Sequence, residues 1–164
     1  MIQIHPLARI SKLADIEDSV RGTKIIIGEG TVIDSFVKIR PAGGIEDLVI
    51  GNRVFINSGC VLYTGNGIKI GNDVAIAANC TFASLNHEYN NLYIPMRDQG
   101  FMPSKGGIII EDDVWIGANC VLLDGAILRK GCIIGAGSLV KNEVKSYSIS
   151  GGNPLRHIKY RGKQ

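Results

Sequence analysis

The chain has 164 residues, 45% of them apolar but only 6% aromatic, and a formal net charge of +3. That length suits one domain, no stretch approaches the ~20 apolar residues of a membrane-spanning helix, and the N-terminus lacks a basic segment followed by a long apolar run. Arg156, Lys159, Arg161 and Lys163 supply four of the positive charges and leave the remainder near −1, so the composition points to a soluble, cytoplasmic protein with no membrane span and no nucleic-acid partner.

Aliphatic residues recur at every sixth position. Around Ile10 and Ile16 the pattern is irregular and reads as a cap. It settles in Ile27, Ile33 and Ile39, returns in Ile50, Ile56 and Leu62 and again in Ile70, Ile76 and Phe82, then runs unbroken through Ile110, Ile116, Leu122, Leu128, Ile134 and Val140. A period of six is neither 3.6 nor 2, which excludes an amphipathic helix and a simple half-buried strand. Fixed-period self-similarity is the mark of a solenoid, in which no repeat buries its apolar face alone.

Each hexad carries its own structural instructions. Two residues before the aliphatic position stand Thr31, Val54, Val74, Val114, Ala126 and Ser138, which share its face on a strand and therefore also point inward. Three residues after it come Gly30, Gly59, Asp73, Asn79, Asp113, Asn119, Gly125, Gly131 and Gly137, types that tolerate positive φ at a corner. A hexad is thus a short strand plus a corner, and three hexads close a triangular coil of about 18 residues. Six or so coils at about 4.8 Å spacing give a prism roughly 30 Å tall. Cys60, Cys80, Cys120 and Cys132 fall at the inward position and read as small core residues, without zinc spacing.

Three segments break the register: Arg40 to Asp47, Thr64 to Gly67, and the long stretch 83–107. An insertion as long as the third in a compact repeat is usually functional. It holds His87, the only histidine of the solenoid region, together with Tyr89, Tyr93, Met96, Phe101 and Met102. Histidine accepts a proton near neutral pH, so His87 is either a general base or a loop residue bonded to backbone. Glu88 reads as a loop-pairing charge. Trp115 sits one residue before an inward position and points out of the prism, either as packing under the loop or as a contact surface.

Ser84-Leu85-Asn86-His87, then Val114-Trp115-Ile116-Gly117-Ala118-Asn119, Ile134-Gly135-Ala136-Gly137-Ser138 and Gly152-Asn153-Pro154 occur in an order that resembles the hexapeptide-repeat acetyltransferases, in particular the galactoside, maltose and capsular-sugar O-acetyltransferases, over residues 20–160. The resemblance implies an all-β chain, a left-handed parallel β-helix spanning 1–164 as one domain, with 83–107 as an inserted catalytic loop and 146–164 as a short C-terminal tail. It also implies acetyl-CoA as co-substrate, no metal, and a homotrimer with active sites between subunits. By this resemblance His87 is the general base for acetylation of a hydroxyl on a sugar or polysaccharide intermediate. Asn86 either holds the acceptor or braces the loop, and Tyr93 and Met96 join the acceptor site. Trp115, Ala118 and Ala136 line the coenzyme A arm, while Lys141 and Arg156 match the region that meets its phosphates; Arg156 also reads simply as a solvated tail charge. Val140-Lys141-Asn142 departs from the Thr-Lys pair common there. N-acetylation of an amino sugar nucleotide, O-acetylation of a streptogramin-type antibiotic and a non-enzymatic binding scaffold are the alternatives. A carbonic anhydrase on the same fold would need three converging histidines, which His5, His87 and His157 do not offer by spacing.

Overall fold

The computed structural model describes residues 1–162, so Lys163 of the basic tail lies outside the described residues. The hexads wind into a three-sided prism whose every side is one sheet. The first side stacks Ile2–Ile4, Ile25–Ile27, Leu48–Ile50, Ile68–Ile70, Ile108–Ile110, Ile127–Leu128 and Glu143–Val144. The second stacks Arg9–Ile10, Val32–Ile33, Phe55–Ile56, Ala75–Ile76, Trp115–Ile116, Ile133–Ile134 and Ser148–Gly151, and the third Asp15–Ile16, Lys38–Arg40, Val61–Tyr63, Thr81–Ala83, Val121–Leu123 and Leu139–Val140. Each strand pairs in parallel with the strand one coil on, as in Ile76 beside Ile116 and Leu122 beside Val140.

The strands are only two to five residues long, because the chain must turn a corner before it runs further. What holds them is the interior. All fifteen register positions from Ile27 to Val140 are 3% exposed or less, and Thr31, Val54, Val74, Val114, Ala126 and Ser138 are buried beside them. Burying an aliphatic side chain of this size is worth about 1.5–3 kcal/mol, repeated on every side of every coil. The corners follow the sequence as well: Gly30, Gly59, Asp73, Asn79, Asp113, Asn119, Gly125, Gly131 and Gly137 all have positive φ.

Three further corners carry large residues at positive φ, Phe36 at 63°, Arg53 at 53° and Tyr147 at 57°. Such a backbone costs a residue with a Cβ about 1–2 kcal/mol, and the side chains offer contacts in return. Arg53 donates through Nε and Nη2 to both carboxylate oxygens of Asp73, one coil on, at 2.6 and 2.7 Å. Tyr147 lays its ring over Gly131, where any side chain would collide with it.

The cysteines sit where the period puts them. Cys60, Cys80 and Cys120 stack on consecutive coils, each thiol donating to a carbonyl of the next coil at 3.2 Å (Ala77, Gly117 and Gly135). All four are buried and free, and burial pushes the Cys132 thiol up to about 12.

The register also continues past 146, where a tail was expected. Ser148 and Ser150 are buried in a further strand of the second side, and Arg156–Tyr160 folds back antiparallel against it. Serines occupy the inward slots there, so an aliphatic period stops short of the last coil; Ser148 Oγ is satisfied by the Lys145 carbonyl at 2.7 Å. Among the described residues no helix is long and apolar enough to cross a membrane.

All the register breaks fall at one corner, between the third side and the first. The chain leaves Arg40 for Leu48, Tyr63 for Ile68 and Ala83 for Ile108 at the same edge of successive coils, so the insertions pile into a ridge. Gly44 and Gly65 meet there backbone to backbone: a methyl on Gly44 would come within 2.9 Å of the Gly65 Cα and closer to its carbonyl. Only chains without a Cβ stack this closely.

Candidate active site

The long loop leaves the prism as a two-stranded ribbon. His87 and Phe101 form an antiparallel bridge, flanked by hydrogen bonds from Met102 N–H to the Asn86 carbonyl at 2.9 Å and from Glu88 N–H to the Gly100 carbonyl at 3.1 Å. The rings of His87 and Phe101 lie 5.0 Å apart at 41°. Beyond this bridge the tip is held by its own polar side chains. Glu88 Oε1 accepts from the N–H groups of Tyr89 and Asn90 and from Asn90 Nδ2 at 2.8, 3.0 and 2.7 Å, which holds its carboxyl below the usual carboxylate range, the Asn90 N–H contributing most. Gln99 Nε2 donates to the carbonyls of Asn91 and Ile94 at 2.8 and 2.7 Å, and its Oε1 accepts from Asn91 N–H at 3.0 Å.

His87 is exposed and opens on a cleft of about 410 Å³ lined by Asn86, His87, Tyr89, Met102, Lys105, Leu123, Asp124 and Lys141. Lys141 also lines a second hollow of about 300 Å³, together with Leu139, Asn142, Glu143, Asn153, Pro154 and Leu155. A larger hollow of about 510 Å³ lies on the first side of the prism against Val49, Lys69 and Ile109 and holds no histidine. Of these three hollows, the one of about 410 Å³ holds an imidazole.

The prism brings three of the expected residues together: Asn86, His87 and Lys141 share one cleft. Tyr93 and Met96 stand apart from it. They sit on the tip, 97% and 62% exposed, because the bond from Tyr93 N–H to Asn91 Oδ1 at 2.9 Å and the Gln99 contacts turn the tip outward. Trp115 is on the second side and 54% exposed. Ala118 and Ala136 occupy the corner between the second and third sides, and Arg156 lies on the antiparallel strand that ends the second side. The third side lies between Trp115, Ala118 and Ala136 and the corner that holds His87 and Lys141, whereas Arg156 follows Leu155, which lines a hollow together with Lys141.

Sequence reasoning missed Asp124 and Lys105. Asp124 is a carboxylate only 3% exposed. The signal was present: two residues after the inward aliphatic, three successive coils of the third side carry Thr64, Ser84 and Asp124, all buried and polar.

A prism of parallel hexads, with a histidine on an inserted loop at its corner, is the architecture that comparison with known proteins also finds. Residues 107–142 match the profile described as bacterial transferase hexapeptide (six repeats), and residues 47–81 match the hexapeptide repeat of succinyl-transferase. The chain is 32% identical over 101 residues to a probable acetyltransferase of Mycobacterium tuberculosis, covering 62% of this chain and 33% of that protein. It is 47% identical over 60 residues to a probable macrolide acetyltransferase of Lysinibacillus sphaericus, covering 37% and 33%. A crystal structure of a variant of AntD, an N-acyltransferase from Bacillus cereus, in complex with dTDP-4-amino-4,6-dideoxyglucose and coenzyme A, superposes with a TM-score of 0.80 at 25% identity, over 98% of this chain and 84% of that one. The chain spans about a third of the length of these two curated relatives. Its repeats are of the transferase hexapeptide type over residues 47–81 and 107–142, and its fold is the left-handed parallel β-helix.

Proposed function

We propose that this chain transfers an acetyl group from acetyl-CoA to a hydroxyl of a sugar or polysaccharide intermediate, with His87 as general base. The observation that carries the reading is the cleft itself: an exposed imidazole in a hollow shared with Asn86 and Lys141, the lysine also lining a second hollow with Asn153 and Pro154. Neutral His87 takes the proton of the acceptor hydroxyl as its oxygen attacks the thioester carbonyl. The tetrahedral intermediate collapses with loss of the coenzyme A thiolate, and the proton held on the imidazole goes to that sulfur. Lys141 is a cation lining both hollows, suited to the phosphates of the donor.

The division of the expected donor contacts supports a shared site. Trp115, Ala118 and Ala136 stand across the third side from the His87 of their own chain, where they can face the His87 of a neighbour. A closed ring of three copies would pair each catalytic loop with the second side of the next copy, and the exposed Tyr93, Met96 and Trp115 would be covered there. Four unpaired buried thiols suit the reducing cytoplasm.

A second reading, N-acylation of an amino sugar nucleotide, draws support from the likeness to AntD. The same cleft serves an amine acceptor. Thiol release from acetyl-CoA, measured with paired hydroxyl and amino acceptors and with nucleotide-linked and free sugars, separates the two. Turnover with the hydroxyl members supports the first reading. No turnover with any acceptor, together with no coenzyme A binding, would overturn both.

A further inference from the structure

We propose that Asp124, with Asn66, is the positioning device that sets His87 in the cleft. This rests on His87 being the base. Both roots of the long loop converge on these two residues. At the exit, Asp124 Oδ1 accepts from Gly107 N–H at 2.9 Å and Oδ2 from Lys105 N–H at 2.8 Å. Asp124 Oδ2 also accepts from Asn66 Nδ2 at 3.2 Å. At the entrance, Asn66 N–H donates to Ser84 Oγ at 3.1 Å, and that hydroxyl donates to the Tyr63 carbonyl at 2.9 Å. Ser84 is fully buried, and the antiparallel pairing of His87 with Phe101 begins three residues beyond it.

The Thr64–Gly67 insertion thereby acquires a purpose: it supplies the one side chain and the one backbone N–H that tie the two roots together. All three groups that bond the Asp124 carboxyl are donors and none accepts. Hydrogen bonds to a carboxylate are about twice as strong as neutral ones. In Asp124→Asn the amide nitrogen has to turn its hydrogens toward an N–H, and either the Gly107 bond or the Lys105 and Asn66 bonds are lost. The ribbon between the roots then loses its fixed direction, and with it the place of the imidazole. A misplacement of about 1 Å in a reacting group costs up to ~100-fold in rate.

The test compares wild type, Asp124→Asn and Asn66→Ala in two ways. With whichever acceptor supports turnover in the wild-type protein, kcat should fall about 10- to 100-fold in Asp124→Asn and less in Asn66→Ala, while KM for acetyl-CoA stays within about twofold. In solution NMR the cross-relaxation between the His87 and Phe101 rings should weaken in both variants, while the signals of His5 and His157 stay in place. A kcat within twofold of wild type in both variants, or an unaltered His87–Phe101 contact in both, overturns the inference. Should Asp124→Asn fail to fold, Asn66→Ala decides. Absence of turnover in the wild type would count against the proposed activity alone, because the ring contact still reads the positioning.

Discussion

Gly65→Ala tests whether the ridge beneath the long loop is held by close approach. Gly65 does not sit at positive φ, so an added methyl brings no backbone strain of its own. It would stand 2.6 Å from Cδ2 of Leu85, two residues before His87, and nearer still to Cγ. Ordinary carbon contacts lie at about 3.5–4.0 Å, so Leu85 has to withdraw by more than about 1 Å. Overpacking of this kind costs about 1–3 kcal/mol. Leu85→Ala removes all three atoms that the methyl would meet, so Gly65→Ala in that background should be neutral or, through the lost freedom of the unfolded chain, stabilising by up to about 1 kcal/mol. Urea unfolding of the two single variants and the double variant gives the coupling, expected at about 1–3 kcal/mol. Equal costs for Gly65→Ala in both backgrounds, or no cost in either, would refute the contact.

Ester formation and amide formation should respond differently to His87→Ala: an amine needs less help from a base once deprotonated, so transfer to a hydroxyl should fall by about 100-fold or more and transfer to an amine by less. An equal loss on both acceptors would count against proton abstraction as the role of His87. Because all four cysteines are buried and burial raises the Cys132 thiol to about 12, an aromatic disulfide reagent should find no reactive thiol in the folded protein and four after denaturation. Arg129 bonds Glu111 at 2.8 Å and Glu143 at 3.0 Å, and these bonds hold both carboxyls below their ordinary value of 4.5. The folded state therefore prefers them ionised. Their contribution is present above that value and is lost as pH falls through and below it. Arg129→Met should flatten the decline of the thermal midpoint between about pH 6 and pH 3, and an unchanged slope would show that these pairs add nothing.

Ile27, Ile76 and Leu122 announce the prism because a solenoid asks the same question at every sixth residue and the answer, a buried aliphatic, is the same each time. Corners such as Asn79 and Gly137 are legible for the same reason. Phe36, Arg53 and Tyr147 are not: no local preference encodes their positive φ, and Arg53 and Tyr147 instead meet Asp73 and Gly131 on other coils. The last coil escapes because Ser148 and Ser150 fill slots that aliphatics fill elsewhere. At the site, His87 stands out as a lone imidazole in a break of the register. Asp124 does not, because its partners, Asn66, Lys105 and Gly107, come from two other insertions of the chain and meet only when the coils stack. Tyr93 and Met96 look like lining residues by composition, yet the Asn91 and Gln99 hydrogen bonds, made between residues up to eight positions apart, turn them outward.

A crystal of the protein soaked with coenzyme A tests whether acetyl-CoA reaches His87 past Lys141. The expected density has the thiol within reach of the His87 ring, the arm against Ala118 and Ala136 of an adjacent copy and the phosphates near Lys141 or Arg156. Coenzyme A bound on the first side, in the hollow at Val49 and Lys69, with the His87 cleft empty, would contradict it.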